Sequence, residues 1–177
     1  MTVQELYSYL YGRSPSESLL LARQLHRQYG DELRNDEQIV QLLKELNRST
    51  QELDTQMTAM DMGKTCSDCA SQEGGGCCSL YMAGECDTLQ ILMNLLVNIE
   101  VEMIRDNGTD CCFLGPTGCT FLFKPMFCLN YNCIHISTGA GKELMKQLEM
   151  KSGAQLTAQH DLEKQLLVFM RNRPGMG

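Results

Sequence analysis

The sequence predicts a mainly α protein: a helical frame with an inserted cysteine-rich metal-binding loop module. Two observations carry this expectation. Apolar residues recur at spacings of three and four along both ends of the chain, the period of an amphipathic helix. All ten cysteines fall between Cys66 and Cys133, with none in the flanks. Cysteine used only as a small core residue would be scattered instead. The expected organisation is N-terminal helices over residues 1–62, a cysteine-cluster module over 63–136 and C-terminal helices over 137–177, within one compact domain.

Thr2-x-x-Glu5 is a capping box, in which each side chain satisfies the other residue's free N–H, and Gly12 ends that short helix. Ser14-Pro15-Ser16-Glu17 repeats the signal, with Pro at the first helical position, where no N–H is needed. The helix it opens is expected to reach about Gly30, with Leu21, Leu25 and Tyr29 on one face. Asn35 or Asp36 starts a longer helix. Its seam of Ile39, Leu43, Leu46, Thr50, Leu53, Met57 and Met60 alternates spacings of four and three. Such a stripe packs antiparallel on a neighbouring helix or self-associates as a coiled coil.

Thr65 to Glu85 is rich in Gly, Cys, Ser and Asp, includes Gly74-Gly75-Gly76, and reads as loop. Asp87 or Thr88 caps a helix bearing Leu89, Leu92, Leu95, Leu96, Ile99 and Met103, which Asn107-Gly108 stops. Residues 109–136 return to loop, with a Gly115-Pro116-Thr117-Gly118 turn and a short apolar run, Phe121-Leu122-Phe123. Ser137 or Thr138 caps a helix to about Lys151, which Ser152-Gly153 breaks. A final helix carries Leu156, Leu162, Leu166, Phe169 and Met170, and Pro174-Gly175 closes it.

Composition excludes several classes. A net charge of −7 argues against a nucleic-acid footprint, which needs clustered Lys and Arg. The most apolar stretch, Leu89 to Ile104, is interrupted by Asn94, Asn98, Glu100 and Glu102, so no membrane span is expected. The opening residues carry Glu5 and no apolar core of a signal peptide, so the expected location is cytoplasmic.

The cysteines form two arms. The first is Cys66-x2-Cys69-x7-Cys77-Cys78; the second is Cys112-x6-Cys119-x8-Cys128-x4-Cys133. Two thiolates two residues apart can turn both sulfurs toward one ion, which is why this spacing recurs in zinc and iron–sulfur sites. A disulfide framework explains an even count, but it needs an oxidising compartment and suits small loop-rich chains. Zinc favours two C-x2-C knuckles, and only one is present. An iron–sulfur cluster needs four thiolates on irregular loops with apolar shielding, which Phe113, Leu114, Phe121, Phe123, Met126 and Phe127 can supply. An iron–sulfur cluster is therefore the favoured cofactor and zinc the alternative.

The order C-x2-C, a Cys-Cys pair, a helix, Cys112-Phe113-Leu114, Gly118-Cys119, Lys124-Pro125 and Cys128-Leu129-Asn130-Tyr131-Asn132-Cys133 resembles the YkgJ-type CxxCxxxCC family. The resemblance covers about residues 66 to 135. It implies a zinc- or iron-chelating domain related to the cysteine-rich part of flagellin lysine methylases. It also implies the metal-ligand candidates Cys66, Cys69, Cys77, Cys78, Cys112, Cys119, Cys128 and Cys133. The chain departs from the family in the longer gap Ala70 to Gly76, and in Lys124 and Leu129 where members tend to carry Arg. Cys86 and Cys111 fall outside the pattern and read as ordinary buried thiols.

His135, two residues past Cys133, reads as a surface or core histidine, with a ligand role as the alternative; His26 and His160 sit in helical segments with no partner nearby in sequence. Gly139-Ala140-Gly141-Lys142 lacks the first glycine and the following Ser or Thr of a phosphate loop. No general acid–base pair or activated nucleophile stands out, so no catalytic residue is assigned. The expected roles are electron transfer, redox sensing or support of a modification reaction. The alternative is a zinc-stabilised module whose helical frame binds a protein partner or a second copy.

Overall fold

The computed structural model describes residues 2–70, 76–116, 118–130 and 133–173. Gly74-Gly75, Thr117 of the predicted turn, Tyr131-Asn132 and the closing Pro174-Gly175 lie outside the described residues. The protein is mainly α. Both N-terminal capping boxes form: Thr2 and Glu5 open α1 (Val3–Leu10), and Ser14 and Glu17 open α2 (Pro15–Asn35). Helix α2 runs through Gly30 instead of ending there. A Cβ on Gly30 would stand 3.0 Å from Cδ2 of His26, so this glycine leaves room for a ring packed one turn back. Asp36 closes α2 and opens α3 (Glu37–Ala59), accepting from the Ile39 N–H at 3.0 Å.

The seam of α3 is occupied within the chain. Ile39, Leu43 and Leu46 share the main core with Leu162, Leu166 and Met170 of α8 (Ile134–Arg171), whereas Leu53 meets Leu148. Rising numbers on α3 meet falling numbers on α8, so the two run antiparallel. Gln56 marks the same register, donating to the Leu144 carbonyl at 3.3 Å and accepting from Lys151 at 3.3 Å.

Further expectations need correction. The segment read as loop from Thr65 begins inside α4 (Met62–Ala70), and α5 (Leu80–Gly84) follows. The helix expected to reach Ile104 is α6 (Thr88–Leu96) and stops eight residues short. Asn98 there adopts a left-handed φ of 60°, and the Asn98 and Ile99 N–H groups return to the carbonyls of Leu95 and Asn94. That pair of bonds is a Schellman end, a position that asparagine tolerates. Finally, α8 opens at Cys133, not at Ser137 or Thr138, and it is not broken at Ser152-Gly153. Ser152 is buried and helical, whereas the break is at Gly141, with φ 74° and ψ 163°, values open to glycine and costly for other residues.

Between α6 and α8, the turn at Pro116 closes a minimal hairpin of β1 (Leu114–Gly115) and β2 (Gly118–Cys119), followed by α7 (Met126–Asn130). No helix among the described residues is long and apolar enough to cross a membrane.

Candidate metal centre

Cys66 and Cys69 sit on α4 three residues apart, a spacing that places both on one helix face. Cys77 and Cys78 precede α5, whose N-cap Ser79 accepts from the Met82 N–H. This first arm is stitched to the second by backbone. The Cys111 N–H donates to the Cys78 carbonyl at 2.8 Å and the Leu80 N–H to the Thr109 carbonyl at 2.8 Å, around a Ser79–Asp110 bridge. Cys119 lies on β2, opposite Leu114.

Asn94 of α6 positions the chain beyond the hairpin. Its amide is fully buried. The oxygen accepts from the Leu122 and Phe123 N–H groups at 2.9 and 3.0 Å, and the nitrogen donates to the Phe123 carbonyl at 3.0 Å. Gln90, one turn earlier, donates to the same carbonyl and accepts from Gln159 of α8. The apolar run 121–123 is thereby fixed to the frame, and it leads through Pro125 into α7 and Cys128. Cys133 is the N-cap residue of α8.

These elements line two adjoining spaces, each partly open to solvent. The larger is a cavity of about 620 Å³. Cys66, Cys77 and Cys78 line it from the first arm, and Cys86, Cys111, Cys119 and Cys128 from the other side. Between them stand Met57, Met62, Met82, Phe113 and Phe121, with Lys124 as the sole cation of the lining among the described residues. The smaller, about 10 Å³, is walled by Cys66, Cys69, Cys77, Cys78 and Cys133, with His135 beside them. Nine of the ten cysteines therefore face one space or the other, and all ten are free thiols.

Seven of the eight candidate ligands line these spaces. The eighth, Cys112, does not: it is buried in the main core, and Cys111 lines the large cavity in its place. The two residues open a turn closed by the Leu114 N–H on the Cys111 carbonyl at 3.0 Å, with one of the pair at the cavity and the other in the core. Nothing in the sequence says which. Cys86 also touches the cavity, but it is 2 % exposed and its thiol donates to the Met82 carbonyl at 3.8 Å.

Burial shapes the thiol acidities. It pushes Cys111 up to about 11 and Cys128 up to about 12, the latter although the residue as a whole is exposed. Cys66 and Cys119 also rise, from burial first, with the Lys124 charge opposing. Cys77 moves the other way, down to about 6, because the Cys78 S–H donates to it and backbone N–H groups assist. Cys78 is pushed up by that same bond and by its burial. Among the described residues, no three Cys, His, Asp or Glu side chains are drawn tightly enough to hold a metal ion as they stand. No family model, curated protein or solved structure matches this chain.

Proposed function

We propose that this chain is a metalloprotein whose large cavity holds an iron–sulfur cluster on Cys78, Cys111, Cys119 and Cys128. The observation that carries the reading is the convergence of both cysteine arms on one apolar cavity of about 620 Å³. A cavity of this volume favours a cluster there over a single ion. Four thiolates on one zinc at about 2.3 Å stand roughly 3.8 Å from one another, whereas a cluster interposes its own iron and sulfide and needs a wider ring of ligands. The walls fit as well: Phe113, Phe121 and Met82 keep water from such a group, and Lys124 offsets its negative charge.

Such a cluster supplies one-electron exchange, and the roles it suits are electron transfer, redox sensing or support of a modification reaction. Ten free thiols suit a reducing compartment, so we place the protein in the cytoplasm. The residues of the chain do the holding: the Cys78–Cys111 backbone bond sets two ligands side by side, and the Asn94 clasp orients the segment that presents Cys128.

The test is purification without oxygen, a visible spectrum, and iron and sulfide per chain. A brown protein with equal iron and acid-labile sulfide, bleached by dithionite, is expected. A colourless protein without sulfide would overturn the reading.

A further inference from the structure

We propose that the opening stretch of α8, residues 134–140, is a lid on the large cavity, hinged at Gly141 and held down by Ile136. The inference concerns the wall of the cavity and is independent of what the cavity holds.

The hinge is a backbone break. Gly141, at φ 74° and ψ 163°, leaves the helical region, so residues 134–140 form a short helix with a direction of its own. Moving elements turn on a few residues that absorb a large change in backbone angle, and glycine does so at little steric cost. The surroundings leave room for it: a Cβ added at Gly139 or at Gly141 would meet nothing within 4 Å. No neighbouring side chain wedges the bend. The Gly139-Ala140-Gly141-Lys142 run, which lacks the pattern of a phosphate loop, has its use here.

One side chain holds the segment down. Ile134, His135, Ser137, Thr138 and Gly139 are exposed and Ala140 is half-buried, so within residues 134–140 only Ile136 is buried. The Ser137 and Thr138 hydroxyls donate to the Ile134 carbonyl, inside the segment itself, and add no tie to the rest of the protein.

That one anchor is also wall. Ile136 lines the large cavity together with Met57 and Met62, and His135 stands at the small space next to it. Lifting Ile136 therefore widens the large cavity from this side.

The core that receives Ile136 is built to open by itself. It consists of Leu53, Met62, Leu129, Ile136 and Leu148, and a polar belt divides it from the main core. On α3 the seam passes from Leu46 through Ser49 and Thr50 to Leu53; on α8 it passes from Leu148 through Ser152, Gln155 and Gln159 to Leu162. All five polar residues are buried, and Ser152 Oγ, Gln155 Nε2 and Gln159 Oε1 have no partner among the described residues. A buried polar atom without a partner weakens the packing around it. The smaller core is thus a separate unit at the low-stability end of the molecule, and it opens without drawing the main core with it.

The experiment is thiol labelling of the metal-free, reduced full chain with fluorescein maleimide, read residue by residue by mass spectrometry. The proteins are wild type, Ile136→Ala, Gly141→Ala and Gly139→Ala. Cys111 and Cys119 line the cavity, whereas Cys112 sits in the main core and does not. Removing the buried anchor in Ile136→Ala should raise the Cys111 and Cys119 rates by about tenfold or more, with Cys112 unchanged. Gly141→Ala disfavours the bent backbone and should raise the same two rates; Gly139→Ala, in helical backbone with free space around it, should leave them as they are. Hydrogen exchange on the wild type gives a second reading that needs no variant: residues 136–140 should exchange through an opening that leaves 156–170 protected. Unchanged Cys111 and Cys119 rates in Ile136→Ala would overturn the lid, as would a Cys112 rate that rises in step with them. Exchange of 136–140 only together with 156–170 would overturn it as well, and equal effects of Gly139→Ala and Gly141→Ala would overturn the hinge. The chain carries no metal in these measurements, so none of these outcomes bears on the cluster.

Discussion

The backbone N–H of Cys111 donates to the Cys78 carbonyl at 2.8 Å, and through that bond two cysteine arms separated by a whole helix become neighbours. The surrounding loop is braced for it. Asp110 receives Arg105 at 2.5 Å and the Asn107 amide at 2.9 Å, and Ile104 returns its N–H to the Cys112 carbonyl at 2.7 Å. A loop tied at this many points holds Cys111 on the cavity side and Cys112 on the core side.

Cys111→Ser should therefore lose iron and sulfide, whereas Cys112→Ala should keep them. The second change removes a buried sulfur from the core and costs about 1–2 kcal/mol of stability. Metal analysis and urea midpoints on the two variants check this. Metal lost from Cys112→Ala and kept by Cys111→Ser would reverse the assignment.

Asn94→Ala removes the clasp that fixes the Leu122-Phe123 backbone. It leaves two backbone N–H groups without their acceptor in a buried place, at a cost of about 2–4 kcal/mol. Because the freed segment leads to Cys128, iron should also pass to a chelator faster than in the wild type. An unchanged urea midpoint would show that the clasp is not what holds this segment.

The helical frame was legible in the sequence because its signals are local. Thr2, Ser14 and Asp36 cap where their side chains say they should, and the Ile39 to Leu53 seam faces its neighbour as its spacing requires. Helix α4 was not legible. Gly63, Thr65, Ser67 and Asp68 are weak helix formers, and the turn forms because Met62 is buried and Asp61, at φ 51°, restarts the chain after α3. Gly153 looked like a break and Gly141 did not, yet both have open space around them; only the backbone angles, set by how α8 meets α3, distinguish the two. For the thiols, the sequence marked the region that lines the two spaces, and tertiary contacts alone chose between Cys111 and Cys112.

Asp87, the N-cap of α6, has its carboxyl pushed up to about 6 by burial, with the Glu163 charge adding to it and the Gln90 N–H opposing. A carboxyl raised on folding favours the protonated native state. Its contribution is fully present below about 4 and is lost as pH rises through about 6. Asp87→Asn keeps the cap, since asparagine serves as well there, and removes the titration. The variant should gain on the order of 1–3 kcal/mol over the wild type at pH 7 and show no gain at pH 4. Thermal or urea unfolding at both pH values checks it; an equal difference at both would exclude a titrating Asp87 as the cause.

The Cys77–Cys78 pair gives a second pH signature, in the metal-free reduced protein. The Cys77 thiol lies down at about 6 because the Cys78 S–H bonds to its ionised form, against an ordinary value near 8.5. An acid lowered on folding adds stability that is present above the unfolded value and lost as pH falls through about 6. Alkylation of Cys77 by iodoacetamide should follow the same midpoint. Cys78→Ala removes the donor, so the midpoint should move up by about two units. The rate at pH 7 alone is a poor reporter, because a more basic thiolate is also a better nucleophile and the two effects nearly cancel. The full pH profile separates them: the variant should show a later midpoint and a higher plateau. A wild-type midpoint near 8.5 would mean that the S–H bond does not hold Cys77 ionised.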